Sequence, residues 1–303
     1  MIQVSVCIPV YNAEQYLYDC INSVVDAAKG LDSYEIIVVD DGSDTPCQDI
    51  VLEYPLHGMC HEYISYIRHP CNKGLLEARR TAIRYALGQY VLMLDCDDLL
   101  LPGTLSKLYH SAIAHSCDIL QGAGEVRVLN KKMSNWRKIS NTKFVRSINT
   151  EYSELCDADI LKGLMTKGLP TSYICNKLIK RTLYTEALND IPEMYCVLNE
   201  DLLQMFYICK HCHRYGFIND TVVLRTLDTG LTNITGIISL ERFKQLCSVG
   251  KVYECLLSQD EYIQQIKRRR TNSYATIMHT YNAHIADEDK PEALSLIHKY
   301  FTK

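Results

Sequence analysis

From residue 3 to about residue 120 the chain alternates between two hydrophobic periods. "QVSVCIPV" (3–10) is a short β-rich run. From there the apolar positions Ala13, Tyr16, Leu17, Cys20, Ile21, Val24, Val25 and Ala28 follow helical spacing. Asn12 stands at the N-cap position, Gln15 three residues on, and Gly30 just past the end. "YEIIVVDDGS" (34–43) is a continuous apolar run ended by turn residues, the pattern of a central parallel strand buried on both faces. "PCQDIVLEY" (46–54) reads as a short helix with Pro46 in its first turn, and "YISYIRH" (63–69) as a third strand. "NKGLLEARRTAIRYALG" (72–88) is a helix closed by Gly88, "YVLMLD" (90–95) a fourth strand, and "PGTLSKLYHSAIAH" (102–115) a further helix.

Strand and helix in alternation predict βαβ units, hence an α/β fold with a parallel sheet covered on both faces. Ligands of such sheets bind outside the carboxyl ends of the strands. The polar motifs "PVYN", "DDGS", "HPCNKG" and "DCDD" all fall at those ends. Beyond residue 120 the pattern weakens. "DILQGAGEVRVL" (118–129) predicts one or two strands, and 130–144 a loop or β excursion. Residues 153–215 read as mainly helical, interrupted by "GLPTSY" (168–173), and "TVVLRTLD" (221–228) as a final strand. Residues 238–303 predict two or three amphipathic helices with a break near "DEDKP" (287–291). The expected organisation is one unit over 1–235, with halves 1–120 and 121–235, and a helical extension over 236–303.

Composition narrows the classes. A net charge of −4 lacks the basic excess of a nucleic-acid binder, so no nucleic acid is expected as partner. "KRRR" (267–270) is a solvated helix face or a contact for anionic lipid or an acidic partner. The start "MIQVSVCIPV" reads as a strand and not as a secretory leader, so the 14 cysteines are expected as reduced thiols in the cytoplasm, mostly filling core space. "CKHCH" (209–213) has half of a zinc-site pattern. No second cysteine pair follows at ligand spacing, and the run "LLQMFYICKHCHRYG" is helical in pattern, so a helix is expected there. No apolar run reaches the ~18 residues of a membrane span.

Asp95, Asp97 and Asp98 stand at the mouth of the fourth strand with Cys96 between them. Like charges this close repel, and a hard divalent cation with oxygen ligands would compensate them. Solvated turn aspartates are the plainer alternative. "VVDDGS" is ordinary turn chemistry or an acidic grip on a nucleoside. No G-x-G-x-x-G follows the first strand and no G-x-x-x-x-G-K-[ST] occurs, which argues against nicotinamide enzymes and P-loop ATPases. Arg79 and Arg80 are adjacent on one helix, so at most one faces a cleft, where it would reach a carboxylate or a diphosphate. Glu200 and Asp201 open an apolar helical run, as helix-start charges or as a general base beside the cleft.

Together "VSVCIPVYNAEQYLYDCINSV", "EIIVVDDGSDT", "NKGLLEARRTAI" and "YVLMLDCDDLLLPGTL" resemble, in order, the motifs of family 2 glycosyltransferases with the GT-A fold, over roughly residues 3 to 120. "CNKLIKRTLY" (175–184) and "NEDLLQMF" (199–206) continue the likeness, with Cys175 where many polysaccharide-building members have Trp. The resemblance implies an inverting transfer from a nucleotide-diphosphate sugar, UDP by family habit, to a hydroxyl of a glycan or lipid-linked acceptor. Pro9, Tyr11 and Glu14 would border the base, with Tyr11 stacked on it, and Asp41 would accept from the base ring N–H. Arg79 would sit near the diphosphate or steady an aspartate. Asp95, with Cys96 beside it, would approach the ribose or sugar, and Asp97 would hold Mn²⁺ or Mg²⁺. Asp201 would be the general base, with Glu200 as the alternative. The C-terminal helices would pack on the catalytic half, dock on the inner membrane face, or form a homodimer.

Rival readings explain less. A haloacid-dehalogenase-like phosphatase places its D-x-D at the first strand, and a nucleotidyltransferase carries a Gly-rich N-terminal loop that is missing here. A non-catalytic sugar-nucleotide-binding relative is the alternative outside enzymes.

Overall fold

The computed structural model describes residues 1–53, 64–128, 152–227, 234 and 236–301. The first half alternates as its periods predict: β1 (Val4–Val10), α1 (Glu14–Ala27), β2 (Tyr34–Asp40), α2 (Gln48–Leu52), β3 (Ile64–Arg68), α3 (Leu75–Tyr85), β4 (Tyr90–Met93), β5 (Leu99–Leu100) and α4 (Thr104–Ala114). β6 (Ile119–Val128), β7 (Tyr152–Cys156), α5 (Ala158–Lys162), β8 (Lys177–Lys180), α6 (Arg181–Asn189), α7 (Glu200–His211) and β9 (Arg214–Leu227) follow. The chain then runs through α8 (Leu240–Cys247), α9 (Val249–Leu257), α10 (Ile263–His284) and α11 (Lys290–Phe301).

The strands form one mixed sheet in the order β3-β2-β1-β4-β8-β6-β9-β5, with β7 also on β9. β1 is parallel to both β2 and β4, and every residue of β1 and β2 is buried. That is why both strands are apolar without alternation. The chain leaves β1 toward β2 and β3 on one side and returns to β4 on the other. The carboxyl ends of β1 and β4 therefore flank a topological switch point, where a crevice opens. β8 joins β4 and β6 antiparallel, and the two-residue β5 pairs antiparallel with β9 through Leu99 to Leu224 and Leu100 to Val223.

Several expectations are corrected. Asn12 does not cap α1. Its φ is 50°, and its carboxamide accepts from the Asp44 N–H at 2.9 Å and donates to Asp44 Oδ2 at 3.1 Å, joining the ends of β1 and β2. Gly88 does not close α3, which ends at Tyr85. An added Cβ on Gly88 would lie 2.5 Å from Ser5 N and 2.8 Å from Tyr90 O, so close backbone approach requires the glycine. The stretch read as helical over 153–215 contains β7 and β8. "KLIK" is only four residues long, too short to show a period of its own. The expected strand at 221–228 starts earlier, at Arg214, and the C-terminal segment forms four helices. The loop or β excursion expected at 130–144 lies outside the described residues.

The sheet is covered on both faces by apolar clusters. One packs α1 and α4 against β1, β2 and β4. The other is larger and continuous, and it joins α3, α6 and α7 to α8, α9, α10 and α11 through residues such as Ile83, Phe206, Phe243, Val252 and Ile297. Among the described residues no helix is long and apolar enough to cross a membrane.

Candidate active site

A cleft of about 1000 Å³ opens at the switch point. Pro9, Tyr11 and Asn12 enter it from the end of β1, Asp41 from β2, and Asn72 from the loop before α3. Asp95, Cys96, Asp97 and Asp98 enter after β4, and Glu200 and Asp201 from the first turn of α7. Ser172, Tyr173, Arg225 and Thr226 complete the far wall.

Arg79 joins the two groups of carboxylates. It is 0% exposed on α3, and its Nη2 donates to Asp95 Oδ1 at 2.9 Å while its Nη1 donates to Glu200 Oε1 at 3.1 Å and to Asp201 Oδ1. One rigid, planar guanidinium thus sets the spacing between the carboxylates after β4 and those on α7. Burial alone would lower the basicity of Arg79, but Asp201, Asp95 and Glu200 raise it well above its ordinary value. Burial, with Asp201 beside it, drives the Glu200 carboxyl well above the usual carboxylate range against the pull of Arg79. The Asp201 side chain is the more open of the pair, 22% exposed against 6%. Arg80 turns away and donates to Leu188 O at 2.6 Å and Ile191 O at 3.0 Å, closing the end of α6.

Asp98 is buried and ties the turn to β9: its Oδ1 accepts from the Thr226 N–H at 2.7 Å, and the Thr226 hydroxyl donates to Asp97 O. Its Oδ2 is buried without a hydrogen-bond partner. Burial first, then Asp95 and Asp97, push its carboxyl well up, with Arg225 acting the other way. Arg225 stacks over the Tyr173 ring at 4.8 Å. The turn gathers three carboxylates, but among the described residues no group of three or more His, Cys, Asp or Glu side chains is placed to hold a metal ion by itself. Magnesium-type ions need only one or two carboxylates when phosphates supply the rest.

Asp41 is buried, and its carboxylate organises the neighbouring loop. Oδ1 accepts from the Lys73 N–H at 2.9 Å and lies 2.6 Å from His69 Nδ1, while Oδ2 accepts from the Gly74 N–H at 2.8 Å. Gly74 sits at φ 92°, a backbone conformation that favours glycine. Burial raises the Asp41 carboxyl, and these donors oppose the shift. Its neighbour Asp40 is held below its ordinary value despite burial, by the Ser43 N–H, Tyr66 and Arg68.

The structure does not bring every expected residue to the cleft. Tyr11 lines it and is 37% exposed. Cys96 lines it too, but its thiol is directed at Ala13 O at 3.3 Å, and burial pushes it up. Glu14 lies in the first turn of α1 outside the lining, with Oε2 buried and without a hydrogen-bond partner. "CKHCH" does not converge: Cys209 and Cys212 are buried, His211 Nε2 lies 2.7 Å from Asp190 Oδ2, and His213 Nδ1 lies 3.0 Å from Asp157 Oδ1. Sequence reasoning missed Arg225, Tyr173, Thr226 and the cleft-lining residues of α8. β5 pairing with β9 brings Arg225 and Thr226 beside the aspartates, Tyr173 meets Arg225 from the loop before β8, and no local pattern announces these contacts.

The fold and this carboxylate-lined crevice define a GT-A-like architecture. The chain belongs to glycosyl transferase family 2, whose model matches residues 5–186. It is 34% identical over 121 residues to the poly(ribitol-phosphate) beta-glucosyltransferase of Bacillus spizizenii, which is 40% of this chain and 19% of that protein. It is 25% identical over 230 residues to the minor teichoic acid biosynthesis protein GgaB of Bacillus subtilis, 71% of this chain and 22% of that one. The chain thus spans about a fifth of the length of these curated relatives. The crystal structure of S. aureus TarS 1–349 in complex with UDP-GlcNAc shares the fold, with a TM-score of 0.65 at 20% identity over 99% of this chain and 80% of that one.

Proposed function

We propose that this protein transfers a sugar from a nucleotide-diphosphate donor, a UDP-sugar, to a hydroxyl of a glycan or lipid-linked acceptor, with inversion at the anomeric carbon. The observation that carries the reading is the Arg79 bridge, which holds Asp95 and Asp201 in one cleft at a fixed spacing. A polymer built from polyol phosphates is the acceptor class that the likeness to the poly(ribitol-phosphate) beta-glucosyltransferase supports.

In this mechanism Tyr11 stacks on the base and Pro9 borders it. Asp41 has three neighbours on its two oxygens, which leaves acceptor capacity for a base N–H. Asp95 meets the ribose or sugar, with Cys96 shaping the turn, and Asp97 would hold Mn²⁺ or Mg²⁺. The cation supplies Lewis-acid neutralisation of the leaving diphosphate. Asp201 takes the proton of the acceptor hydroxyl as that oxygen attacks the anomeric carbon and the diphosphate departs from the opposite face. A single displacement inverts the centre. Glu200, buried beside Asp201 and bonded to Arg79, is the alternative base. Arg79 stays out of the lining and positions Asp95 and Asp201.

The protein acts in the cytoplasm, peripherally at the inner membrane face where lipid-linked acceptors lie, and the exposed Lys267 and Arg268 of α10 suit that surface. The test of the central reading is calorimetric titration with UDP, GDP, dTDP and CMP, with and without Mn²⁺, on the wild type and Asp97→Ala. Metal-dependent binding of one nucleotide, lost in the variant, is expected. A folded wild type that binds none of them, or an Asp97→Ala variant that turns over normally with metal, would overturn it.

A further inference from the structure

α8 has two opposed faces. Phe243, Leu246 and Cys247 are buried in the larger core. The start of the helix is pinned at three points. Ser239 Oγ accepts from the Arg242 N–H at 3.3 Å, the Ile238 N–H donates to His284 O at 2.9 Å, and His284 Nδ1 lies 2.8 Å from Gly236 O. With one face anchored, the other presents Glu241, Arg242 and Gln245, which line the same cleft as the aspartates. Residues three and four apart share a helix face, and that spacing relates Gln245 to both Arg242 and Glu241.

α8 packs beside the segment between α6 and α7 that meets the start of α3. There Cys196 O accepts from the Leu76 N–H at 3.2 Å, and the Gly74 N–H donates to Asp41 Oδ2 at 2.8 Å, so this wall stands on the Asp41 side of the cleft. Lys244 Nζ lies 5.2 Å from the Tyr195 ring centre and 3.2 Å from Glu241 Oε2, which holds the wall to that segment. An amide offers both donor and acceptor, a guanidinium only donors, and a carboxylate only acceptors. Such a mixed set on a fixed helix, in one cleft with the exposed Tyr11 ring, suits the polar edges of a base and ribose. A sugar hydroxyl acceptor would instead be placed near Asp201.

We propose that the α8 face, Arg242 and Gln245 with Glu241, is a specificity-determining surface that reads the base–ribose end of the bound nucleotide. The inference rests on the nucleotide-donor reading above. It makes the C-terminal helices part of the donor site.

The test is titration of the full chain, the Arg242→Ala/Gln245→Ala double variant and the conservative Gln245→Glu with UDP, CDP, GDP and dTDP in Mn²⁺. The double variant is expected to bind the preferred nucleotide at least tenfold more weakly and to flatten the ranking among bases, with its melting temperature retained. Gln245→Glu keeps the size of the side chain and alters the ranking even if the double variant fails to fold. If the wild type binds a nucleotide and both variants keep its affinity and ranking, the inference falls and the donor reading stands. A rise in acceptor KM with nucleotide affinity unchanged also overturns it. A wild type that binds no nucleotide removes the donor reading itself.

Discussion

Arg79 is one buried positive charge facing three carboxylates, and the ionisation of those carboxylates decides what the site can do. Asp201→Asn is expected to leave nucleotide affinity within about twofold and to lower the transfer rate by ~10²- to 10⁴-fold, the range of a lost general base. Donor titration beside a steady-state transfer assay separates the two effects, and a variant that still transfers at the wild-type rate would remove Asp201 from the mechanism. Lys177 is a second buried basic group. Its Nζ donates to Thr171 Oγ1 at 2.9 Å, Asn176 Oδ1 at 3.0 Å and Tyr173 O, fixing the loop that lines the far wall. Burial lowers its pKa from 10.5 to about 7. Between those values the unfolded chain binds the proton that the native state does not, so stability rises with pH across the window. Lys177→Met is expected to lose that rise, which amounts to at most about 1.4 kcal/mol per pH unit. Urea midpoints of both proteins at pH 7 and pH 9 measure it, and equal slopes would contradict the buried amine.

At the scale of elements, the local pattern predicted those that stand on their own periodicity. β1, β2 and β4 are buried on both faces, and α1 and α3 keep a long apolar stripe, so each is legible alone. β5, β7 and β8 have two, five and four residues, and pairing partners define them instead. Close contacts between elements are equally invisible locally. An added Cβ on Gly250 of α9 would lie 2.0 Å from Tyr300 O of α11. Gly250→Ala is therefore expected to push the two helices apart at a cost of about 1–3 kcal/mol, the usual range for overpacking. Thermal unfolding reads that loss, and an unchanged melting temperature would mean that α9 and α11 do not pack as described.

For the whole molecule, the C-terminal helices share one apolar cluster with α7, which carries Glu200 and Asp201. The site and the extension therefore belong to one packed body. α10 buries only Ile266, Ile277 and Thr280 of its 22 residues, and Lys267 and Arg268 are exposed near its start. Flotation with vesicles rich in anionic lipid is expected to carry the protein, and a Lys267→Glu/Arg268→Glu variant is expected to stay behind. Equal flotation with neutral vesicles would count against an electrostatic membrane contact.

The sequence by itself determined the α/β alternation, the parallel strand core and the sites of polar residues along it. Burial on both faces writes continuous apolar runs, and carboxyl ends of parallel strands are where polar chemistry can reach solvent. "DCDD" and "NEDLL" were legible as candidates for the same reason, because charge beside apolar sequence needs an explanation. Only the tertiary structure decided that Arg79 spans both groups, that Glu200 is pushed up while Asp201 stays open, and that Thr226 and Arg225 join the turn through β9. It also decided that α8 reaches the cleft. The links from Arg79 to α7 and from the turn to β9 join residues 121 to 129 positions apart, and the distance between two side chains so far apart in the chain is set by packing.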